Sequence, residues 1–158
     1  MPPATQSRAV ATYEIDEARH SVNLTRRLVA SVDQAFAFWT DPRHVKRWWD
    51  ASGEKLAECE IDLRVGGALR FVSARPGTPP FVGKYLEIDS PSRLLFEAMG
   101  AIGTVSIHEV GAGSRVDVEI QAPNAEALKA MLAVGVATGT AQTLDNLQTY
   151  SAMQSGTR

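Results

Sequence analysis

The apolar and polar positions of this 158-residue chain change their period twice. Val22 and Leu24 alternate with Asn23 and Thr25, and Leu28 continues their face, which predicts a strand with one buried side. Ser31-Val32-Asp33-Gln34 then has the form of a capping box, in which the Ser31 hydroxyl accepts from the Gln34 backbone while the Gln34 side chain reaches back. Ala35, Phe36 and Trp39 follow at helical spacing. Asp41-Pro42 restarts the chain with an N-cap and a first-turn proline, and Val45, Trp48 and Trp49 give this second short helix an apolar side.

From Glu54 onward the period is two. Ala57, Cys59 and Ile61 alternate with Glu58, Glu60 and Asp62, and Gly66-Gly67 marks a turn. Leu69 and Phe71 share one face. A turn at Pro76–Pro79 leads to a strand over 81–88, and Ser90-Pro91-Ser92 turns into the strand of Leu94 and Phe96. Gly100 and Gly103 bracket a tight connection, Val105 and Ile107 lead to Gly111-Ala112-Gly113, and Val116, Val118 and Ile120 close the series. Strands at short spacing joined by turns predict an antiparallel meander. After Pro123 the period becomes helical. Asn124 is a candidate cap, and Leu128, Met131, Leu132, Val136, Leu144 and Leu147 form one long C-terminal helix. Gly135 and Gly139 interrupt it, each at a cost of about 1 kcal/mol relative to Ala; they allow a close approach or a kink, or are simply tolerated or mark a break, the two accounts weighing equally.

The order predicts an α+β fold: a curved antiparallel sheet of about seven strands, wrapped on the long helix, with two short helices after the first strand. One apolar face per strand needs one covering layer. A gap between that layer and the sheet makes a natural cavity. Residues 1–20 read as a loosely ordered arm, 21–153 as the domain and 154–158 as a tail.

Composition narrows the function only a little. An apolar fraction of 44% and a charged fraction of 22% suit a soluble domain. The net charge of -2 argues against a nucleic-acid surface, and Arg43, His44, Lys46 and Arg47 read as the solvated face of a short helix. No apolar run is long enough for a membrane span, and residues 1–20 lack the apolar core of a signal peptide, so a cytoplasmic protein is expected. The single cysteine, Cys59, lies between Glu58 and Glu60 and reads as a structural thiol.

Signals of chemistry are sparse. His20, His44 and His108 form no metal-ligand spacing, and no metal site is expected. His108 falls on the strand face opposite Val105 and Ile107, and His44 reads as exposed. There is no nucleophile elbow, phosphate loop or dinucleotide fingerprint, so no cofactor is expected. Asp117 and Glu119 share a solvent-side face. Asp62 and Arg64 read as an ion pair that fixes the turn before Gly66. Tyr85 on an inner face either orients a ligand carbonyl or bonds another core group. Adjacent helical residues point about 100° apart, so one of Trp48 and Trp49 packs in the core and the other approaches the cavity.

The ordered set of Arg26, Ala30-Ser31, Thr40-Asp41-Pro42, Trp48-Trp49, Asp62-x-Arg64-Val65-Gly66-Gly67, Gly83-x-Tyr85-x-Glu87-Ile88, Pro91-x-Arg93-Leu94 and Gly113-Ser114-Arg115-Val116 resembles the START-like (SRPBCC) superfamily. It is similar to the branch related to the activator of the 90-kDa heat-shock chaperone ATPase, over about residues 22–150. The resemblance implies a helix-grip fold. It also implies a range of roles: carriers of hydrophobic ligands, cyclases and chaperone regulators. No catalytic set carries over. Where relatives often have Gly-Trp, this chain has Gly139-Thr140, and losing that indole enlarges or polarises the cavity. The leading expectation is a carrier or sensor that binds a small apolar or aromatic ligand, lined by Trp48, Leu69, Phe71, Tyr85, Phe96, Met131 and Thr140. The alternatives are a cyclase- or hydratase-like enzyme using Tyr85 or an inward His108, and an interaction module with a chaperone partner. A homodimer is also compatible; nucleic-acid and membrane partners are not expected.

Overall fold

The computed structural model describes residues 13–156. Its strands are β1 (Glu14–Asp16), β2 (Ser21–Leu28), β3 (Glu58–Ile61), β4 (Ala68–Val72), β5 (Phe81–Asp89), β6 (Arg93–Ala98), β7 (Ala101–Val110) and β8 (Gly113–Gln121). The helices are α1 (Val32–Thr40), α2 (Pro42–Trp48), α3 (Ala125–Ala133) and α4 (Val136–Gly156). All strands pair antiparallel in the order β1-β2-β8-β7-β6-β5-β4-β3. The helix-grip expectation holds, with eight strands instead of about seven. The extra one, β1, lies inside the expected arm and pairs with β2. At the other end α4 continues to Gly156, into the expected tail. Residues 1–12 and 157–158 of that arm and tail lie outside the described residues.

The helix starts follow the local chemistry. Ser31 and Gln34 form the capping box: Gln34 N–H donates to Ser31 Oγ at 3.2 Å and Ser31 N–H to Gln34 Oε1 at 3.0 Å. Asp41 caps α2 by accepting from Arg43 N–H at 2.9 Å. Asn124 caps α3 by accepting from Ala127 N–H at 2.8 Å. The expected single C-terminal helix is two. Gly135 takes φ +86°, a left-handed conformation that Gly adopts without steric cost, and the chain breaks there between α3 and α4. Gly139 stays inside α4.

One turn assignment also shifts by a few residues. The β6–β7 hairpin turns at Met99-Gly100, and Gly103 belongs to β7 opposite Phe96. A Cβ at Gly103 would lie 2.8 Å from Phe96 Cζ, so the missing side chain lets the ring lie on the strand.

Ala137, Ala141, Leu144, Leu147 and Tyr150 of α4 are buried with Val22, Leu24, Leu28, Val105 and Val116 of the sheet. Arg26 shares the inner face of β2 and is 8% exposed. Its Nε donates to Asp145 on α4 at 2.9 Å and Nη1 to the Thr25 carbonyl at 2.9 Å, so a buried cation is compensated where it ties helix to sheet. No helix among the described residues is long and apolar enough to cross a membrane.

Candidate functional site

Between the inner face of the sheet and the α3–α4 pair lies a cavity of about 830 Å³. That volume falls within the roughly 300–1,000 Å³ of small-molecule sites. The sheet contributes Phe71, Phe81, Phe96, Gly103, Val105, Val118 and Ile120. The period of two places them all on one face. Ala127, Ala130, Met131 and Val134 come from α3. Val136, Gly139, Thr140, Thr143 and Leu144 come from α4 at the i, i+3, i+4, i+7, i+8 spacing of one helix face. Trp39, Trp49 and Leu56 close the side.

Aromatic rings form one end of this space. Trp49 meets Phe71 at 4.8 Å and Phe81 at 5.1 Å between centroids, and Phe71 stacks on Phe81 at 5.8 Å. Such pairs add about 0.5–1.5 kcal/mol each beyond burial and hold the wall rigid. Polar groups gather beside Trp49. Thr143 Oγ1 donates to the Trp49 carbonyl at 3.1 Å, and Asn146 Nδ2 to the Asp50 carbonyl at 3.0 Å, which fixes α4 to the end of α2. Asp50 Oδ2 accepts from Ser73 Oγ at 2.8 Å. Burial works to raise the Asp50 carboxyl, but hydrogen bonds from Ser52 and Ser73 and the charge of Arg75 outweigh it and leave it below the ordinary carboxylate value.

Of the seven residues expected to line the site, Phe71, Phe96, Met131 and Thr140 stand on the cavity wall. Trp48, Leu69 and Tyr85 stand elsewhere. Trp48 is 1% exposed and donates its indole N–H to the Phe38 carbonyl at 3.0 Å. That carbonyl would ordinarily receive the N–H of residue 42, which is a proline and has none. The indole fills the vacancy, and Trp49 turns to the cavity. Leu69 and Tyr85 share the face of Phe71 but border a separate inner void of about 10 Å³, with Val45 and Leu94. Burial raises the Tyr85 hydroxyl well above its ordinary value. Trp39 and Phe81 line the cavity outside the expected set, and Trp49, not Trp48, is the member of the pair that reaches it; Phe81 is the register partner of Phe71 across a hairpin.

Other expectations meet the structure as follows. His108 is 46% exposed on the outer face, where Nε2 lies 3.1 Å from Asp117. Asp62 and Arg64 pair at 2.9 Å. His44 is a correction: it is half-buried, with Nδ1 2.6 Å from the Tyr150 hydroxyl and its ring edge-on to Phe38 at 5.0 Å, because α2 packs on α4 there. Cys59 is half-buried, and burial pushes its thiol up to about 11, as an inert structural thiol requires. Among the described residues no three His, Cys, Asp or Glu side chains cluster to hold a metal ion.

A second concavity of about 820 Å³ lies on the outer face of the sheet. Volume alone does not separate the two. The outer trough is lined by charges already paired with one another, Arg19 with Glu119 at 2.8 Å and Arg115 with Asp117 at 3.1 Å. The inner cavity presents apolar surface that gains by being covered.

No curated protein matches the sequence significantly. Among solved structures, a protein from Nitrosomonas europaea superposes with a TM-score of 0.79 at 20% identity, over 89% of this chain and 99% of that one. An AHSA1-like protein from Aeromonas hydrophila gives 0.70 at 20% identity, over 85% and 94%. CalU16 from Micromonospora echinospora gives 0.60 at 26% identity, over 82% and 74%. The sequence itself matches the family described as Activator of Hsp90 ATPase homolog 1-like protein over residues 29–152, and with the helix-grip architecture around it the chain belongs to that family.

Proposed function

We propose that this chain is a cytoplasmic carrier or sensor that holds one small apolar or aromatic molecule between the sheet and α3–α4. The observation that carries the reading is the cavity of about 830 Å³ walled by Trp39, Trp49, Phe71, Phe81 and Phe96. A hydrophobic ligand-binding cavity is typical of the family. Phe71, Phe96, Met131 and Thr140 are proposed as ligand contacts, joined by Trp49 and Phe81. Native mass spectrometry of freshly purified protein tests this: a retained species adds mass that organic solvent releases. Protein that carries no added mass and takes up no neutral aromatic probe defeats the proposal.

The enzyme alternative has less support. A general acid or base must reach the substrate. Tyr85 borders the small inner void and His108 lies on the outer face. Asp50 does line the cavity, but its lowered pKa makes it a weak base near neutrality. The interaction-module reading needs exposed apolar surface away from the cavity. The two most exposed large apolar side chains among the described residues, Met99 at 82% and Val134 at 79%, both stand on the cavity rim. Ligand entry accounts for these two; Val29, Leu63, Val65, Val82 and Met153 are also exposed and stand off the cavity wall, which keeps a chaperone or a second copy as the second reading.

A further inference from the structure

Helix α3 roofs the cavity while packing only lightly on the core. Ala127, Ala130, Met131 and Val134 line the cavity at the i, i+3, i+4, i+7 spacing of the stripe that a surface helix normally turns to a core. Leu128 is its one buried residue; Ala127, Met131 and Leu132 are half-buried, and Ala130 and Val134 are exposed. Helix α4, on the same sheet, buries Ala137, Ala141, Leu144, Leu147 and Tyr150. Both ends of α3 are joints. Asn124 is fully extended at φ -161° and ψ 178°, and Gly135 takes φ +86°. Beyond the joints the chain is held. Ala122 is buried and donates its N–H to the His20 carbonyl at 2.8 Å, and Ala137 is buried on the other side. A segment with few buried apolar contacts between two held points opens at low free energy.

We infer that α3 is a lid, which turns about Gly135 to admit the ligand and packs down on it through Ala127, Ala130 and Met131. This rests on the cavity being the binding site and adds how that site opens and closes. An apolar ligand covers the stripe of α3 only when the lid is down, so it binds the closed form better and shifts the population toward it. Glycine is what makes the joint. At φ +86° a residue with a Cβ is strained, and a right-handed helical φ at 135 would align α3 with α4 and take it from its place over the cavity. A Cβ built at Gly135 would lie 3.6 Å from Thr138 Oγ1, an ordinary contact. Alanine there therefore changes the backbone preference and leaves the packing alone.

The experiment follows amide hydrogen exchange by mass spectrometry in the full chain, with and without the neutral dye N-phenyl-1-naphthylamine. Without dye, the helical amides of residues 128–134 should exchange at least about tenfold faster than those of residues 141–150 in α4, and saturating dye should slow them at least about tenfold. Stopped-flow release of the dye then tests the joint. Gly135→Ala should release it about tenfold faster, the population shift expected from a left-handed penalty of this kind. Gly66→Ala carries the same φ of +86° in a turn that does not line the cavity, and should release the dye at the wild-type rate. Dye that binds without slowing exchange in α3, α3 amides as slow as those of α4 before dye is added, or equal release from Gly135→Ala and wild type each overturn the lid and leave the cavity standing. The wild-type exchange decides the matter even if Gly135→Ala fails to fold. A dye that does not bind removes the cavity reading and the lid with it.

Discussion

Trp48→Phe keeps a ring in the core and deletes one N–H, so its cost can be worked from the structure. The Phe38 carbonyl at the end of α1 faces Pro42, which has no N–H to give, and Trp48 Nε1 supplies the donor at 3.0 Å. Orphaning a buried carbonyl costs about 1–3 kcal/mol. The smaller ring in a site 1% exposed adds about 1 kcal/mol for lost contact and residual void. The sum is about 2–4 kcal/mol. Urea unfolding of a domain of this size has a slope of about 2 kcal/mol per molar, so the midpoint should fall by about 1–2 M. Trp49→Phe retains a ring against Phe71 and Phe81 on the cavity wall and should cost about 1 kcal/mol or less. Circular dichroism follows both transitions without relying on the altered indoles. A Trp49→Phe midpoint that falls as far as that of Trp48→Phe would refute the assignment of one indole to the core and the other to the cavity.

Two further outcomes concern titratable groups. Burial lowers the His44 pKa, Arg43 and Arg47 add to that, Asp41 opposes it, and the net value lies below the ordinary 6.5. From about pH 6.5 downward the unfolded chain then binds more protons than the folded one, so stability present at neutral pH is lost on acidification. Urea midpoints at pH 7.5 and 5.5 should show this, and His44→Gln should remove part of the difference; an unchanged difference counts against it. Cys59, raised by burial to about 11, should react with a disulfide reagent at pH 8 roughly two orders of magnitude more slowly than a small free thiol. A rate close to that of the free thiol would place Cys59 in a different environment.

Much of the architecture was legible because the signals were local. The Ser31–Gln34 box, the Asp41-Pro42 restart and the alternation through Ile120 each depend on a few neighbouring residues, and each forms where expected. What the sequence left open needed distant information. Period two puts Leu69 and Phe71 on one face, but it does not show that Leu69 borders only the inner void while Phe71 borders both the void and the cavity. Helical geometry separates Trp48 from Trp49 without saying which is buried. The missing N–H of Pro42 decides that, a clue present in the sequence that takes effect only once α1 and α2 are folded together. Gly135 offered a kink or a break, and its positive φ made it a break. Strand β1 was hidden because three residues carry too little pattern to show a period.

The central claim is that the space under α3–α4 is a binding cavity. Thr140 lines it, and the space where a Cβ at neighbouring Gly139 would stand is open to 4 Å. Thr140→Trp should therefore fill the cavity while the fold persists. Fluorescence titration with N-phenyl-1-naphthylamine, a neutral dye that brightens in apolar surroundings, measures the consequence. The account predicts one-to-one uptake by the wild-type protein and an affinity at least about tenfold weaker in Thr140→Trp, equivalent to about 1.4 kcal/mol, with an unchanged circular dichroism spectrum. Equal dye affinity in the two folded proteins would contradict it.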